Sequence, residues 1–435
     1  MLTSSERVFG GRVAEAGATT LSTLLAGRAA VAGDEPALTW LGTTWTWAAL
    51  NRRVTAVAAA LRQVTEPRQR AAILVARPVD HVVAFLGAIR AGLVAIPLAA
   101  GNRAAFADAE PSIVLATADT VAATRRFLSG LDTCGHRVLA VDIVEEAGEF
   151  TEDPVAAEDV AYLQYPAGVL VTHANILANA RQVAGVLPGR TIASWLPPCD
   201  PLGLLLAVAL PVTTGRPVVL FDRREPLSSL PLDAGTLASA ADPDLARFRE
   251  AFAAGAVRVC HVLAEATAVV SVEGTPAGQR IAIVDSGGRR RPRGEVGEIW
   301  VSGPNVGRGY WNRPEESARV FCALLAEDDE PRWWLRTGDL GFLAESGALS
   351  VLGRVVGGHD PRDLEGTVRG AHAAVRAAAA FGGERVVVVV ELRPGEVPPR
   401  GEVERAVRAA LSAGHGLTPR RVVVLPSGAA LGGLR

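Results

Sequence analysis

RAAILVARPVDHVVAFLGAIRAGLVAIPL, residues 70–98, is the stretch that decides the fold class. RAAILVARP (70–78) is a short apolar run typical of a buried strand, and residues 82–91 repeat apolar side chains at helical spacing up to Gly92. VAIPL (94–98) then predicts a second buried strand. A strand, a helix and another strand in so short a stretch are typical of a βαβ unit, in which the strands are parallel.

The same alternation extends outward on both sides of this unit. A helix is predicted over residues 45–61 and another over 172–186. Short apolar runs predict further strands at 112–117, 137–142, 160–165 and 191–197. Alternating strands and helices indicate an α/β protein with a parallel sheet.

The pattern changes from about residue 280 onward. Residues 280–303 alternate as a hairpin. We predict a large N-terminal domain over 1–353 and a small α+β domain over 354–435. Within the small domain the predicted order is helix 361–378, strand 385–392, helix 402–413 and strand 420–426.

Composition excludes several functions. The chain has 435 residues, of which 49% are hydrophobic and 21% charged, so it can bury a large core. A net charge of -2 argues against nucleic-acid binding. All 44 basic residues are arginine, which excludes a Schiff base or a phosphate-binding lysine.

The cysteines and the apolar runs bear on location. Cys134, Cys199, Cys260 and Cys322 form no CxxC pair and have no metal-like spacing with the histidines. The start MLTSSERVFGG lacks the basic-then-apolar plan of a signal peptide, and the longest apolar run, 202–212, is too short to span a bilayer. We therefore expect a cytoplasmic protein that binds no membrane.

Six motifs occur in the order of one known family. They are YLQY…PAGVLVTHANILAN (162–179), SWLPPCDPLGL (194–204), HVLAEAT (261–267), GEIWVSGPNVGRGYWNRPEES (297–317), WLRTGDLGFL (334–343) and VLGR (351–354). Together they resemble the acyl-adenylate-forming superfamily, most closely its fatty acyl-AMP ligases. The resemblance implies a large N-terminal domain of stacked α/β subdomains and a small, mobile C-terminal domain. It also implies the activation of a carboxylate with ATP and magnesium, and transfer of the acyl group to a carrier-protein thiol.

Five departures from the family pattern argue against that activity. Tyr165 is followed directly by Pro166, where the family has a Ser/Thr/Gly-rich phosphate loop. Gly433 stands where the family has its catalytic lysine, and the hinge is shortened to GRVVGGHDPRDLE (353–365). Residues 222–262 are shorter than in the family, and WLPPCDPLGL has Asp200 in place of a histidine and Pro201 in place of an aspartate. We predict that ATP-dependent adenylation has been lost and that no cofactor is used.

Some family positions are retained. By the resemblance, Asp339 in RTGDL and Arg354 form a vestigial ribose site, and Glu265 in LAEAT is a vestigial metal ligand. These residues could hold an adenosine group weakly, or they could persist only as supports of the fold.

The altered positions could have acquired chemistry. Asp200 and His261 are a candidate general acid–base pair, because imidazole titrates near neutral pH, while His261 could instead fill the space of the family's tyrosine. Cys199 and Cys260 are weaker candidates as nucleophiles.

Three functions remain open. The first is a repurposed enzyme that cyclises, dehydrates or isomerises an acyl or polyketide intermediate without ATP, with the substrate free or bound to a carrier protein. The second is a non-catalytic scaffold for a carrier protein or an active paralogue, and the third is a residual ligase whose partner supplies the lysine. The sequence leaves the oligomeric state open.

Overall fold

The structure is a computed structural model. It describes residues 19–99, 101–131, 136–145, 150–223, 225, 230–231, 233–240, 242–253, 255–285, 287–328, 331–354, 361–381, 386–399 and 401–427. The chain divides into two compact units, which are Met1–Ile281 with Val301–Leu335, and Ala282–Trp300 with Arg336–Arg435. The predicted domain boundary at residue 353 stays a prediction.

The described residues form short strands separated by helices. In chain order, β1 to β21 are Pro36–Trp40, Thr43–Thr46, Arg70–Ile73, Val94–Pro97, Ile113–Ala116, Arg137–Ala140, Val160–Gln164, Val169–Thr172, Thr191–Ser194, Val218–Leu220, Ala234–Ser239, Val257–Val262, Val269–Val272, Thr275–Pro276, Arg280–Val284, Gly297–Ser302, Leu335–Leu343, Leu349–Arg354, Val375–Phe381, Val387–Leu392 and Arg421–Leu425. Helices α1 to α12 are Leu21–Val31, Trp47–Arg62, Pro78–Arg90, Arg103–Ala109, Val121–Ser129, His173–Ala184, Pro201–Leu204, Leu210–Thr214, Leu245–Ala251, Pro314–Phe321, Pro361–Ala371 and Glu402–His415. A π-helical segment, Leu205–Ala209, joins α7 to α8.

The first unit contains a six-stranded sheet in the order β6-β5-β3-β4-β7-β8. Its strands pair in parallel except β7 and β8, which are antiparallel neighbours. The strands are short and apolar because helices cover them, and every residue of α3 from His81 to Arg90 is buried. Gly87 allows α3 to approach α2 closely, since a Cβ there would stand 2.6 Å from a methyl group of Val57.

The first unit also contains an eight-stranded sheet in the order β14-β13-β12-β11-β9-β10-β1-β2. Its five central strands, β12, β11, β9, β10 and β1, are parallel. The apolar run at 202–212 does not form a strand of this sheet, because it forms the buried α7, the π-helical segment and the start of α8.

The second unit holds most of a four-stranded sheet, β15-β16-β17-β18, and a three-stranded sheet, β19-β20-β21. The apolar core against the three-stranded sheet includes Leu364, Val368, Val388, Val407 and Leu411, which come from α11, β20 and α12.

The strand–helix–strand pattern predicted over 70–98 is confirmed by β3, α3 and β4. The helix predicted over 361–378 is wrong in its last part, because α11 ends at Ala371 and residues 375–381 form β19. The helix predicted from residue 45 begins at Trp47, because Thr43–Thr46 is a strand and the Thr46 side chain caps the helix. Within the described ranges, no helix is long and apolar enough to cross a membrane.

Candidate functional site at the carboxyl ends of parallel strands

Several polar residues gather at one edge of the eight-stranded sheet. Asp200 follows β9, Asp242 follows β11, and His261 lies near the end of β12. Because β9, β11 and β12 are parallel, their carboxyl ends meet at the same edge. In open α/β sheets, ligands bind outside this edge. The topology therefore makes it the candidate site of the first unit.

Asp200 begins the helix that carries the apolar run. Its Oδ1 atom accepts a hydrogen bond of 3.0 Å from the Leu202 N–H, so the carboxylate caps α7. Asp200 is exposed as a residue, but neighbouring atoms partly desolvate its carboxyl group, and this desolvation raises the pKa of Asp200. The N–H groups of Leu202 and Gly203 oppose this shift. Asp200 thus has a structural role that does not depend on a substrate.

The two candidate thiols are near Asp200 but are poor nucleophiles. Desolvation raises the pKa of Cys260 to about 12, with a further contribution from the negative charge of Asp200. Desolvation and the same carboxylate raise the pKa of Cys199. Cys260 is buried, and its Sγ atom lies 3.5 Å from the carbonyl oxygen of Ala238. Both thiols stay protonated near neutral pH, which disfavours attack by a thiolate.

His261 is half-buried and directly follows Cys260 on β12. Side chains alternate along a strand, so His261 points to the face opposite that of Cys260, and it pairs with Ser271 of β13. The proposed acid–base pairing of His261 with Asp200 stays a prediction.

The sequence reasoning missed an ion pair at the same edge. Asp242, with a side chain only 4% exposed, receives two hydrogen bonds of 3.1 Å from the Arg223 guanidinium and one of 3.1 Å from the Trp195 indole. The Trp195 ring stacks on Phe248 with centroids 3.8 Å apart. Asp242 also contributes to the raised pKa of Asp200 through charge repulsion. Only the parallel order of β9 and β11 brings these residues together, and that order is not visible in the sequence.

A turn of four residues, 165–168, connects β7 to β8 at the place where the resemblance predicts the phosphate loop. Three of its four carbonyl groups accept hydrogen bonds. Those of Ala167 and Gly168 accept from Arg313 at 2.7 Å and from the Trp311 N–H at 2.8 Å, and that of Tyr165 accepts from Gln164 at 3.1 Å.

Asp108 of α4 forms hydrogen bonds that hold this turn. Its carboxylate accepts a hydrogen bond of 2.7 Å from the Tyr165 hydroxyl and one of 3.2 Å from the Arg313 guanidinium. The Trp311 indole N–H donates to the Asp108 carbonyl at 3.1 Å. Burial, followed by the bond to Asp108, raises the pKa of Tyr165. Asp108, Tyr165, Trp311 and Arg313, which we call the turn network, hold residues 165–168 in place.

The predicted metal ligand Glu265 and the turn at 165–168 bear on magnesium–triphosphate binding. Glu265 lies in the 3-10 turn Ala264–Ala266, and its carboxylate accepts a hydrogen bond of 3.0 Å from the Tyr310 hydroxyl. Within the described parts of the chain, no group of three or more His, Cys, Asp or Glu residues could hold a metal ion. The connection at 165–168 includes Pro166, which has no N–H, where a phosphate cradle needs N–H donors, and the Arg313 guanidinium beside it is paired with Asp108.

The second unit carries the predicted ribose pair. Asp339 of β17 stands directly opposite Arg354 of β18 in the strand register, and the Arg354 Nε atom lies 3.8 Å from Asp339 Oδ1. The Asp339 side chain is 10% exposed, whereas that of Arg354 is 64% exposed. The Asp339 N–H also donates to the Thr337 hydroxyl at 2.9 Å. The structure therefore brings this predicted pair together. Cys134, hinge residues 355–360 and Gly433 lie outside the described residues.

The fold is that of adenylate-forming enzymes. The family model described as "AMP-binding enzyme" matches residues 25–237 and 238–311, so the chain belongs to the AMP-binding enzyme family. FadD25 of Mycobacterium tuberculosis, named as a fatty-acid–CoA ligase, is 31% identical over 88% of this chain and 88% of its own. The long-chain-fatty-acid–AMP ligase FadD23 of the same organism is 30% identical over 88% of this chain and 87% of its own.

A solved structure matches the fold. The crystal structure of a fatty acid AMP ligase from Legionella pneumophila matches this chain with a TM-score of 0.66 and 23% sequence identity. The match covers 95% of this chain and 94% of the Legionella chain. The predicted adenylate-forming fold, with its mixed α/β sheets, is confirmed.

Proposed function

We propose that this chain is a fatty acyl-AMP-ligase-like protein that has lost ATP-dependent adenylation and acts without ATP on an acyl or polyketide intermediate. The reaction class is a cyclisation, a dehydration or an isomerisation, in polyketide or lipid natural-product biosynthesis. The observation that carries the proposal is the closed turn at 165–168, where Arg313 and Trp311 occupy the backbone carbonyls.

The turn argues against triphosphate binding for two physical reasons. A phosphate cradle relies on backbone N–H groups that point at the ligand. The four-residue turn includes Pro166, which has no N–H, so it offers few donors to a triphosphate. The Arg313 guanidinium beside the turn is already bonded to the Asp108 carboxylate and to the Ala167 carbonyl, so its charge is compensated within the protein.

Sequence length and composition support the same conclusion. The alignment with FadD23 extends over 510 residues, more than the 435 of this chain, so the relative carries residues that this chain lacks. With no lysine anywhere, the chain cannot supply an ammonium group to neutralise charge as a carboxylate attacks a phosphate.

The proposed acyl substrate is supported by the similarity to FadD23 and FadD25 and by the candidate site at the carboxyl ends of β9, β11 and β12, which we call the carboxyl-end site. FadD23 and FadD25 are named for fatty-acid substrates, which makes an acyl chain the natural ligand class here. Cyclisation, dehydration and isomerisation need a proton donor and acceptor and no external energy source. Asp200 and His261 are our candidates for these roles, with the acyl group carried by a carrier protein or free.

One observation favours a non-catalytic scaffold as the second candidate function. Asp200 caps α7 with a hydrogen bond of 3.0 Å, so its carboxylate has a use in an inactive protein. Asn is as good a cap as Asp but has no charge. Asp200→Asn therefore separates the two candidates, because it keeps the cap and removes the acid–base group.

The test is isothermal titration of the purified full chain with ATP–Mg and, separately, with a hydrolysis-resistant acyl-AMP analogue. We expect no saturable binding of ATP–Mg. Binding of the analogue alone supports the loss of the phosphate site with an acyl pocket retained. Tight binding of both ligands overturns the proposal, because the phosphate loop would then have been replaced by other residues.

A second assay addresses catalysis. The protein is incubated with long-chain acyl and 3-hydroxyacyl thioesters of N-acetylcysteamine, and products are followed by mass spectrometry. Loss of water or a change in double-bond position that disappears in Asp200→Asn and in His261→Ala supports the enzyme. If wild-type protein binds a thioester without changing it, the scaffold replaces the enzyme.

A further inference from the structure

A cavity of about 490 Å³ lies in the first unit, between the end of α9 and the beginning of β12. Arg258 is the second residue of β12, whereas His261 is the fifth, so the cavity lies towards the amino end of this strand and away from the carboxyl-end site. The charged residues that line it are Arg249, Arg258 and Glu273.

Glu273 is the one negatively charged residue among those that line this cavity, and it already has partners. Its Oε1 atom accepts a hydrogen bond of 2.6 Å from the Val259 N–H and lies 3.7 Å from the Arg249 guanidinium. Both side chains of this ion pair are about half exposed, at 50% and 49%, so solvent weakens their attraction. Glu273 thus compensates one of the two arginines, and only in part.

Arg258 is exposed at the cavity wall. Among the residues that the structure describes, its guanidinium has no hydrogen-bond or ion-pair partner. With Arg249 it gives the cavity two positive charges against one negative charge. A guanidinium presents five N–H donors in a planar fork that matches the oxygens of a carboxylate or a phosphate.

Gly255 also lines the cavity, and the space beside it is empty. Gly255 has a φ of 78°, a left-handed conformation that favours glycine, and a Cβ placed there would meet no atom within 4 Å. The space beside the backbone at this position is therefore free for a small molecule.

We propose that this cavity binds a small anion, with its carboxylate or phosphate group between the guanidinium groups of Arg249 and Arg258. Glu273 lowers the affinity for a bare anion and favours a ligand that also carries a hydroxyl donor. This cavity is separate from the candidate site at the carboxyl ends of β9, β11 and β12. The proposal does not depend on the function proposed above.

The test is isothermal titration of the full chain at low ionic strength with citrate and, separately, with inorganic phosphate. We expect saturable 1:1 binding of at least one of them. Arg249→Ala/Arg258→Ala should weaken this binding about tenfold or more, because charge-assisted hydrogen bonds are lost. Citrate binding without phosphate binding assigns the site to carboxylates, and the reverse assigns it to phosphates.

The matched control is Arg181→Ala/Arg280→Ala, which removes the same net charge from exposed positions elsewhere in the first unit. It should leave the affinity unchanged within about twofold, since distant surface charges are screened. Glu273→Gln keeps an oxygen acceptor for Val259 and removes the competing charge, so it should raise the affinity. A gain cannot come from damaged folding.

Two results overturn the proposal. One is the absence of saturable binding of both anions to wild-type protein. The other is an equal loss in the two double variants, which would attribute the binding to the overall charge of the protein.

Discussion

The turn at 165–168 and the Asp339–Arg354 pair, which the sequence motifs assign to the phosphate and ribose positions of the family, differ in how their polar groups are used. In the turn, Arg313, Trp311 and Asp108 occupy the backbone and side-chain groups with internal hydrogen bonds. In the pair, two side chains face each other across neighbouring strands at 3.8 Å, and one of them is mostly exposed.

The difference follows from what each region must do without a nucleotide. A shortened connection between two buried strands leaves polar backbone groups that must find partners, because an unpaired buried group costs about 1 to 3 kcal/mol. The turn network supplies those partners. Asp339 is nearly buried, but Arg354 opposite it is mostly exposed, so the pair already has solvent and its own partner and can persist without a ligand.

The largest effect is expected from breaking the turn network at Asp108. Asp108→Ala removes the acceptor for Tyr165 and for Arg313, and we expect the free energy of unfolding to fall by about 2 to 3 kcal/mol. Urea denaturation followed by tryptophan fluorescence measures this change. Asp108→Asn keeps one acceptor oxygen and should lose less. An unchanged midpoint in Asp108→Ala would mean that the network does not stabilise the turn.

Acid sensitivity of the region after the turn is the second prediction. Burial lowers the pKa of His173, the first residue of α6, to about 4. An unfolded histidine titrates near 6.5, so the unfolded chain binds more protons between pH 6.5 and 4, and stability is lost as the pH falls through that window. From pH 7.5 to 5 we expect His173 to account for about 2 kcal/mol of lost unfolding free energy.

The check is the urea-unfolding free energy of wild type and of His173→Phe at both pH values. The variant should lose less stability on acidification than wild type. If both proteins respond identically, the pKa of His173 is not depressed in the folded state.

Prediction from the sequence succeeded where the pattern is local. Residues 70–98 carry apolar runs of strand length on either side of a helical repeat, and β3, α3 and β4 follow that pattern. It failed at residues 375–378, the predicted end of a helix, which form part of the strand Val375–Phe381; the RAAAA sequence there has the composition of a helix. Six register pairs with β20 hold the segment as a strand, so tertiary pairing overrides the propensity of alanine.

The candidate site was only partly predictable for a related reason. Asp200 and His261 stood out because they replace family residues in recognisable motifs. Asp242 and Arg223 lie in a stretch without a motif, and only the order of parallel strands brings them to the same edge. A motif reports a residue type, whereas a gathering of side chains depends on pairings between distant segments.

The third prediction sharpens the comparison at the carboxyl-end site. Asp200→Ala removes the cap of α7 and should lower the unfolding free energy by about 1 kcal/mol. Asp200→Asn should remain within about 0.5 kcal/mol of wild type, because Asn caps as well as Asp. Thermal and urea unfolding of both variants give the test. An equal loss in the two variants would show that the charge, and not the cap, is what stabilises this region.

The smallest effect is expected at the ribose pair. Arg354→Ala removes a side chain that is 64% exposed, so the free energy of unfolding should change by less than about 0.5 kcal/mol. Asp339→Asn should cost more, because Asp339 is nearly buried and Arg354 would keep its charge beside it. If the acyl-AMP analogue binds wild-type protein, both variants should bind it more weakly while ATP–Mg binding stays undetectable. A pair that still contacts adenosine must affect that titration, whereas a pair that only supports the fold leaves the titration unchanged and affects unfolding alone.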